Sequence, residues 1–208
     1  EAFFKTLNIP ATSKLILFIS GSVHYLDEPD ILKTMSDWIE QGSIDKNVYI
    51  VVRNYPGDFD KNKFQDFQNN PRILFNSMQT WDSTANTYYY NNLLYYADVV
   101  VSVYSTTALE VAIFDKPIMT IGFDGYKTRP AHQSIRRLEK LSHFKNVLDT
   151  GSVSVIRTFD ELLMSIKKYF ADPSLDHDKR RLLVEKMCYR SDGRAAERIV
   201  GYLMKHIS

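Results

Sequence analysis

Apolar and polar positions come in blocks along this chain, and the blocks switch between two periods. Lys14–Ser20 holds five consecutive apolar residues and stops at Gly21, the pattern of a strand buried on both faces. Pro29 opens a helical stretch to Trp38, with Ile31, Leu32, Met35 and Ile39 at helical spacing and Gly42 as the stop. Asn47–Arg53 reads as a second strand halted by Pro56-Gly57, Lys61–Gln68 as a short helix and Arg72–Phe75 as a third strand. Residues 76–87 are polar and read as loop. Tyr88–Tyr96 reads as a helix with Leu93, Leu94 and Ala97 inward, followed by the β-branched strand Asp98–Val103.

A helix face is expected from Ala108, Leu109, Val111, Ala112 and Phe114, and a further strand from Lys116–Gly122. Within 123–144 only Gln133–Leu141 has a helical pattern. Asn146–Leu148 and Val153–Val155 read as two short strands. Thr158 is placed to N-cap a helix to Phe170, with Glu161 at the capping-box position and Asp172-Pro173 as the end. Leu175–Cys188 and 192–206 read as the last two helices. Strands alternating with helices over short connections predict a three-layer α/β sandwich around a mostly parallel sheet.

The 208 residues fit one domain spanning 1–208, with neither an internal repeat nor a low-complexity linker. With 44% hydrophobic and 25% charged residues the chain has the means to bury a core, which excludes a disordered or disulfide-scaffold protein. A net charge of +1 argues against a nucleic-acid partner. One cysteine, Cys188, excludes an intrachain disulfide and suits a reducing compartment. No apolar run reaches the length of a membrane-spanning helix. The start, Glu1-Ala2-Phe3-Phe4, has no initiator Met; the expectation is a piece of a longer two-domain chain, with processing of a full-length protein as the alternative.

In such a sheet, ligands sit beyond the carboxyl ends of the strands, where strand order switches, so the residues after each strand are the candidates. Ser20-Gly21-Ser22-Val23-His24 is either a small-residue cradle for an anion or a plain tight turn. Arg53 either forks onto phosphate or makes a surface ion pair. Ser105, Thr106 and Thr107 put hydroxyls and amides at a helix start, suited to a diphosphate; Glu110 is suited to the vicinal hydroxyls of a ribose. The opposing reading makes Ser105 an N-cap and Glu110 a solvated residue facing the helix dipole. After the Lys116–Gly122 strand, Lys127, Arg129, His132, Arg136 and Arg137 either face an anionic ligand or form a solvated surface.

The five histidines, at 24, 132, 143, 177 and 206, show no metal-binding motif. Asp58-Phe59-Asp60 matches a D-x-D pattern but follows a Pro-Gly turn, so no metal and no cofactor is expected. The tyrosines at 88, 89, 90, 95, 96 and 104 either stack on a base or pack helices, and the segment from Phe75 to Trp81 is a second candidate for base contact.

These segments resemble a known family. Ala97–Ala112, with Ser105-Thr106-Thr107-Ala108-Leu109-Glu110 at its centre, and Asp115-Lys116-Pro117-Ile118 after it, are similar to the C-terminal half of GT-B glycosyltransferases. The resemblance is to the surface-polysaccharide group that includes CDP-glycerol glycerophosphotransferase-like and UDP-GlcNAc 2-epimerase-like proteins. Arg53–Asp58 is similar to that group's Arg-x-His-Pro-Gly segment, with Tyr55 in place of His. Ser191–Arg198 resembles its closing segment.

The resemblance implies a Rossmann-like domain that binds a nucleotide-sugar or CDP-glycerol-type donor. Ser105, Thr106, Thr107, Arg53 and Ser22 would contact the diphosphate and Glu110 the ribose. His24, Asp124, Arg129, Asp192 and Gly193 would sit near the cleft. The acceptor, a glycan or lipid-linked chain, would be held through the other half, which would also supply the general base. A cytoplasmic location follows, at the inner membrane face if the full-length protein associates there. Two rivals stand beside this reading: a 2-epimerase-like half, which usually carries Ser-Gly-Gly where this chain has Ser-Thr-Thr, and a non-catalytic α/β interaction module.

Overall fold

The structure is a computed structural model, and it describes residues 1–21, 25–54, 62–75 and 84–207. Six strands are described: β1 (Lys14–Ile19), β2 (Val48–Arg53), β3 (Ile73–Phe75), β4 (Val99–Ser102), β5 (Ile118–Ile121) and β6 (Val153–Ile156). They form one sheet in the order β3-β2-β1-β4-β5-β6, and every pairing is parallel. Successive strands run outward from β1 to β3, and the chain then returns to the other side of β1 with β4. Strand order therefore reverses between β1 and β4.

The helices are α1 (Ala2–Thr6), α2 (Glu28–Glu40), α3 (Thr84–Tyr96), α4 (Thr107–Ile113), α5 (Ser142–Leu148), α6 (Phe159–Ala171), α7 (His177–Met187) and α8 (Ala195–His206). Alternation along β1 explains the layers. Ile16 and Phe18 join a core cluster with Ile31, Leu32 and Met35 of α2 and Leu162 and Ile166 of α6. Leu15, Leu17 and Ile19 join a second cluster with Phe3 and Phe4 of α1, Leu93 and Leu94 of α3, Val111 of α4 and Leu183 of α7. Both faces of β1 are covered, as its unbroken apolar run requires. Among the described residues no helix is long and apolar enough to cross a membrane.

The Thr158 cap is formed: its Oγ1 accepts from the Glu161 amide at 3.1 Å, and Glu161 Oε2 accepts from the Arg157 amide at 2.6 Å. Several expected elements differ. Residues 84–87, read as loop, are the first turn of α3; that turn is polar, with Asn86 buried, so it carries no apolar period. Asn146–Leu148, read as a strand, ends α5, where Phe144 and Val147 bury one face at a three-residue spacing. The helix expected over 61–68 is reduced, among the described residues, to a 3-10 turn at Gln65–Phe67, and the one expected over 133–141 is a 3-10 segment at Ile135–Lys140. The last helix begins at Ala195 rather than 192, because Asp192 accepts from the Arg194 amide at 3.0 Å and Gly193 takes φ +71°. The turn formed by α1 was not expected; the rings of Phe3 and Phe4 hold it against Tyr96.

Candidate functional site

The reversal between β1 and β4 opens a cleft of about 340 Å³ at the carboxyl ends of the strands. Its walls come from Ser20 after β1, Arg53 and Asn54 at the end of β2, Ser105, Thr106 and Thr107 after β4, and Glu110 on α4. Asn86, Thr87 and Tyr90 of α3 close one side. Short strands ending at the same level place Arg53 beside Ile19 in register and Ile19 beside Ser102. Three chain segments far apart in sequence thus meet at one edge.

Arg53, Tyr90 and Glu110 form a connected set in this cleft. The Arg53 guanidinium lies 3.9 Å over the Tyr90 ring, a cation–π contact. Tyr90 donates its hydroxyl hydrogen to Glu110 Oε2 at 2.6 Å. Burial, reinforced by Glu110, pushes the Tyr90 hydroxyl well above its usual pKa, so it is a donor throughout the neutral range. Burial also lowers Arg53, against the opposing pull of Tyr90 and Glu110; a guanidinium stays charged regardless. Ser105 Oγ and Thr107 Oγ1 are 2.7 Å apart, and the Thr107 amide donates to Ser105 Oγ at 3.2 Å. Thr106 begins α4 without a capping bond from its own hydroxyl.

The turn after β1 departs from the anion-cradle expectation. The Gly21 amide and Ser20 Oγ, the latter at 2.7 Å, both donate to the carboxylate of Glu28. Glu28 is fully buried and ion-paired with Lys63. Burial raises its pKa, and Lys63 works against that rise. The described part of this turn, Ser20-Gly21, is therefore already occupied by an internal anion. A glycine is required there because a Cβ on Gly21 would come within 2.2 Å of Val103 Cγ2.

Of the residues singled out in sequence, Arg53, Ser105, Thr106, Thr107 and Glu110 line one cleft. Asp124 and Arg129 lie on the wall of a separate groove, after β5. Asp192 and Gly193 line neither: both are exposed, and Asp192 is paired with Arg198 at 2.8 Å. Ser22 and His24 lie outside the described residues, as do Tyr55, Asp58-Phe59-Asp60 and the segment 76–81. Glu28 and the first turn of α3 were not anticipated. Their only signals are an acidic residue beside Pro29 and a run of polar residues before the tyrosines. Among the described residues no group of three or more His, Cys, Asp or Glu side chains is arranged for a metal ion.

Comparison with solved structures gives extensive fold matches at low identity. A variant of the wall teichoic acid polymerase TagF soaked with CDPG is 15% identical, with a TM-score of 0.56 over 99% of this chain and 45% of that one. The S. aureus MnaA–UDP co-structure is 16% identical, with a TM-score of 0.61 over 100% and 48%. WaaG, a glycosyltransferase involved in lipopolysaccharide biosynthesis, is 14% identical, with a TM-score of 0.51 over 95% and 49%. This chain spans about half the length of each. These likenesses bear out the Rossmann-like fold expected from the sequence. Curated protein sequences include no match to the chain. A family model does match, over residues 5–205, which is almost the whole length and takes in every segment lining the cleft: the chain belongs to the CDP-Glycerol:Poly(glycerophosphate) glycerophosphotransferase family.

Proposed function

We propose that this chain is the donor-binding half of a transferase that moves a glycerol-phosphate unit from a CDP-glycerol-type donor onto a cell-surface polymer. The observation that carries the reading is the Arg53–Tyr90–Glu110 set lining one cleft with Ser105 and Thr107 at the strand-order reversal.

In the reaction, an acceptor hydroxyl attacks the phosphorus that bears glycerol and gives up its proton to a general base in the remainder of the site. The bond from that phosphorus to the bridging oxygen breaks, and the nucleoside monophosphate leaves with the electron pair. Negative charge grows on the leaving phosphate, and fixed donors aimed at it lower the barrier. Arg53, held over Tyr90, offers a fork to phosphate oxygens. The hydroxyls of Ser105, Thr106 and Thr107 supply short donors at the start of α4. Glu110 has one carboxylate oxygen committed to Tyr90 and the other available to ribose hydroxyls. With Glu28 already taking the Ser20 hydroxyl and the Gly21 amide, the reading assigns the diphosphate to the β4 side. Half a cleft cannot orient both reactants, so turnover requires the remainder of the site.

Calorimetry with CDP, UDP, GDP and ADP tests this. CDP is expected to bind most tightly, and a hundredfold excess over its Kd to stabilise the fold by about 2.7 kcal/mol. Glu110→Ala is expected to weaken CDP about tenfold, in line with loss of a charge-assisted hydrogen bond. Unchanged affinity in that variant would remove Glu110 from the ribose site, and preference for another nucleotide would change the donor class.

A further inference from the structure

On the same carboxyl edge of the sheet, the segments following β5 and β6 enclose a second groove of about 410 Å³. Its wall carries Lys127, Arg129, Arg136 and Arg157 against one carboxylate, Asp124. That carboxylate already accepts from the Ile135 amide at 2.8 Å.

The counter-charges sit behind this wall, not on it. Asp27, only 1% exposed, takes Arg129 in a fork through Nε and, at 2.6 Å, Nη2. Nη1 of Arg129 stays outside that fork. Glu139 takes Arg157 through Nη1 and, at 3.1 Å, Nη2, and also accepts from Tyr104; Nε of Arg157 stays outside. Lys127 reaches Asp27 at 3.2 Å. Arg136 stands exposed on the rim. Two guanidinium groups are thus fixed by carboxylates behind them while other N–H groups remain to bind a ligand. The N–H groups left over on these fixed guanidiniums suit the non-bridging oxygens of a phosphate. Phe123 and Phe159, in edge contact at 4.9 Å, give the groove an apolar patch suited to a short carbon linker.

The groove adjoins the donor cleft. Tyr104, which holds Glu139, immediately precedes Ser105 in the chain. We propose that the groove seats a phosphodiester of the anionic acceptor chain, so that this half of the molecule binds acceptor as well as donor. The identity of the ligand rests on the transferase reading above; anion binding in the groove does not.

The probe is a synthetic glycerol-phosphate hexamer, titrated calorimetrically into the chain with and without saturating CDP. The hexamer is expected to bind in both conditions. Arg136→Glu, an exposed position outside the Asp27–Arg129 and Glu139–Arg157 pairs, is expected to weaken it tenfold or more while CDP binding is unchanged. Arg181→Glu, at an exposed position of α7, is expected to stay within twofold of the parent chain. Absence of hexamer binding, competition between hexamer and CDP, or equal weakening by both variants would each overturn the proposal. Hexamer binding without CDP binding would instead overturn the donor reading and leave the groove standing.

Discussion

Tyr90 fixes Glu110: its hydroxyl donates to Oε2 at 2.6 Å, from a helix that precedes Glu110 by twenty residues. An exposed glutamate on the first turns of α4 would otherwise sample several rotamers. Here one oxygen is committed and the other directed. Tyr90→Phe is expected to weaken CDP about tenfold, as loss of a hydrogen bond to a charged group does, and to leave 2′-deoxy-CDP nearly unaffected. In a Tyr90→Phe/Glu110→Ala double variant the losses should not add, because the pair acts as one unit. Additive losses would separate Tyr90 from ribose recognition.

Gly21 tests how closely the first turn approaches β4. An added Cβ meets Val103 Cγ2 at 2.2 Å, far inside contact distance. Gly21→Ala is expected to destabilise by about 1–3 kcal/mol through overpacking. For a chain of this size that lowers Tm by about 2–4 °C per kcal/mol. Val103→Ala in the same chain should recover much of that loss, read by urea unfolding. No recovery would place the strain in the backbone instead of the side-chain contact.

The sheet was legible because its strands are short apolar runs buried on both faces, and because Gly21, Gly42 and the Asp172-Pro173 pair punctuate the chain. Ser105-Thr106-Thr107 and Glu110 were legible because they follow the most β-branched of those strands. Glu28 was not: local pattern shows an acid near a helix start, and its contact with Ser20 and Gly21, eight and seven residues earlier, follows no helical or strand period. Tyr90 stood among several tyrosines with nothing local to distinguish it, since its partners Arg53 and Glu110 lie 37 and 20 residues away in sequence. The basic stretch after β5 left its role open, because Asp27, which takes Arg129, comes from the segment before α2, and Arg157, which pairs with Glu139 of this stretch, follows β6.

Asp115 closes α4 in a left-handed conformation, φ +52°, and its Oδ1 takes Nε of the buried Arg180 at 2.7 Å. Arg180 also donates to the carbonyls of Leu175 and Pro173 at 2.6 and 3.1 Å. This arrangement fastens α7 to α4. Asp115→Asn tolerates the backbone but removes the charge, and it is expected to destabilise by about 2 kcal/mol. Asp115→Gly, which relieves the backbone and removes the partner altogether, should not be milder. A milder effect would show that backbone strain outweighs the ion pair.

Asp27 gives the fold an acid limb with a defined sign. Burial pushes its carboxyl up, but hydrogen bonds from Arg129 and Lys127 outweigh that and hold it below the usual range. Its folded pKa is thus below the unfolded value of about 4. The stabilisation is complete above that value and is lost as pH falls through the folded pKa. Glu139, Asp115 and Asp176 are lowered as well and add to the same limb. Urea unfolding at pH 7, 5, 4 and 3 should show stability falling below about pH 4. Asp27→Asn should destabilise at pH 7 by about 3–5 kcal/mol, since it leaves Arg129 facing a neutral group. The gap to the parent chain should narrow as pH falls through the folded pKa of Asp27. A gap constant with pH would mean that Asp27 acts through packing alone. Hexamer binding in the groove should weaken over the same acid range, because Arg129 is aimed by the carboxylate that is being lost.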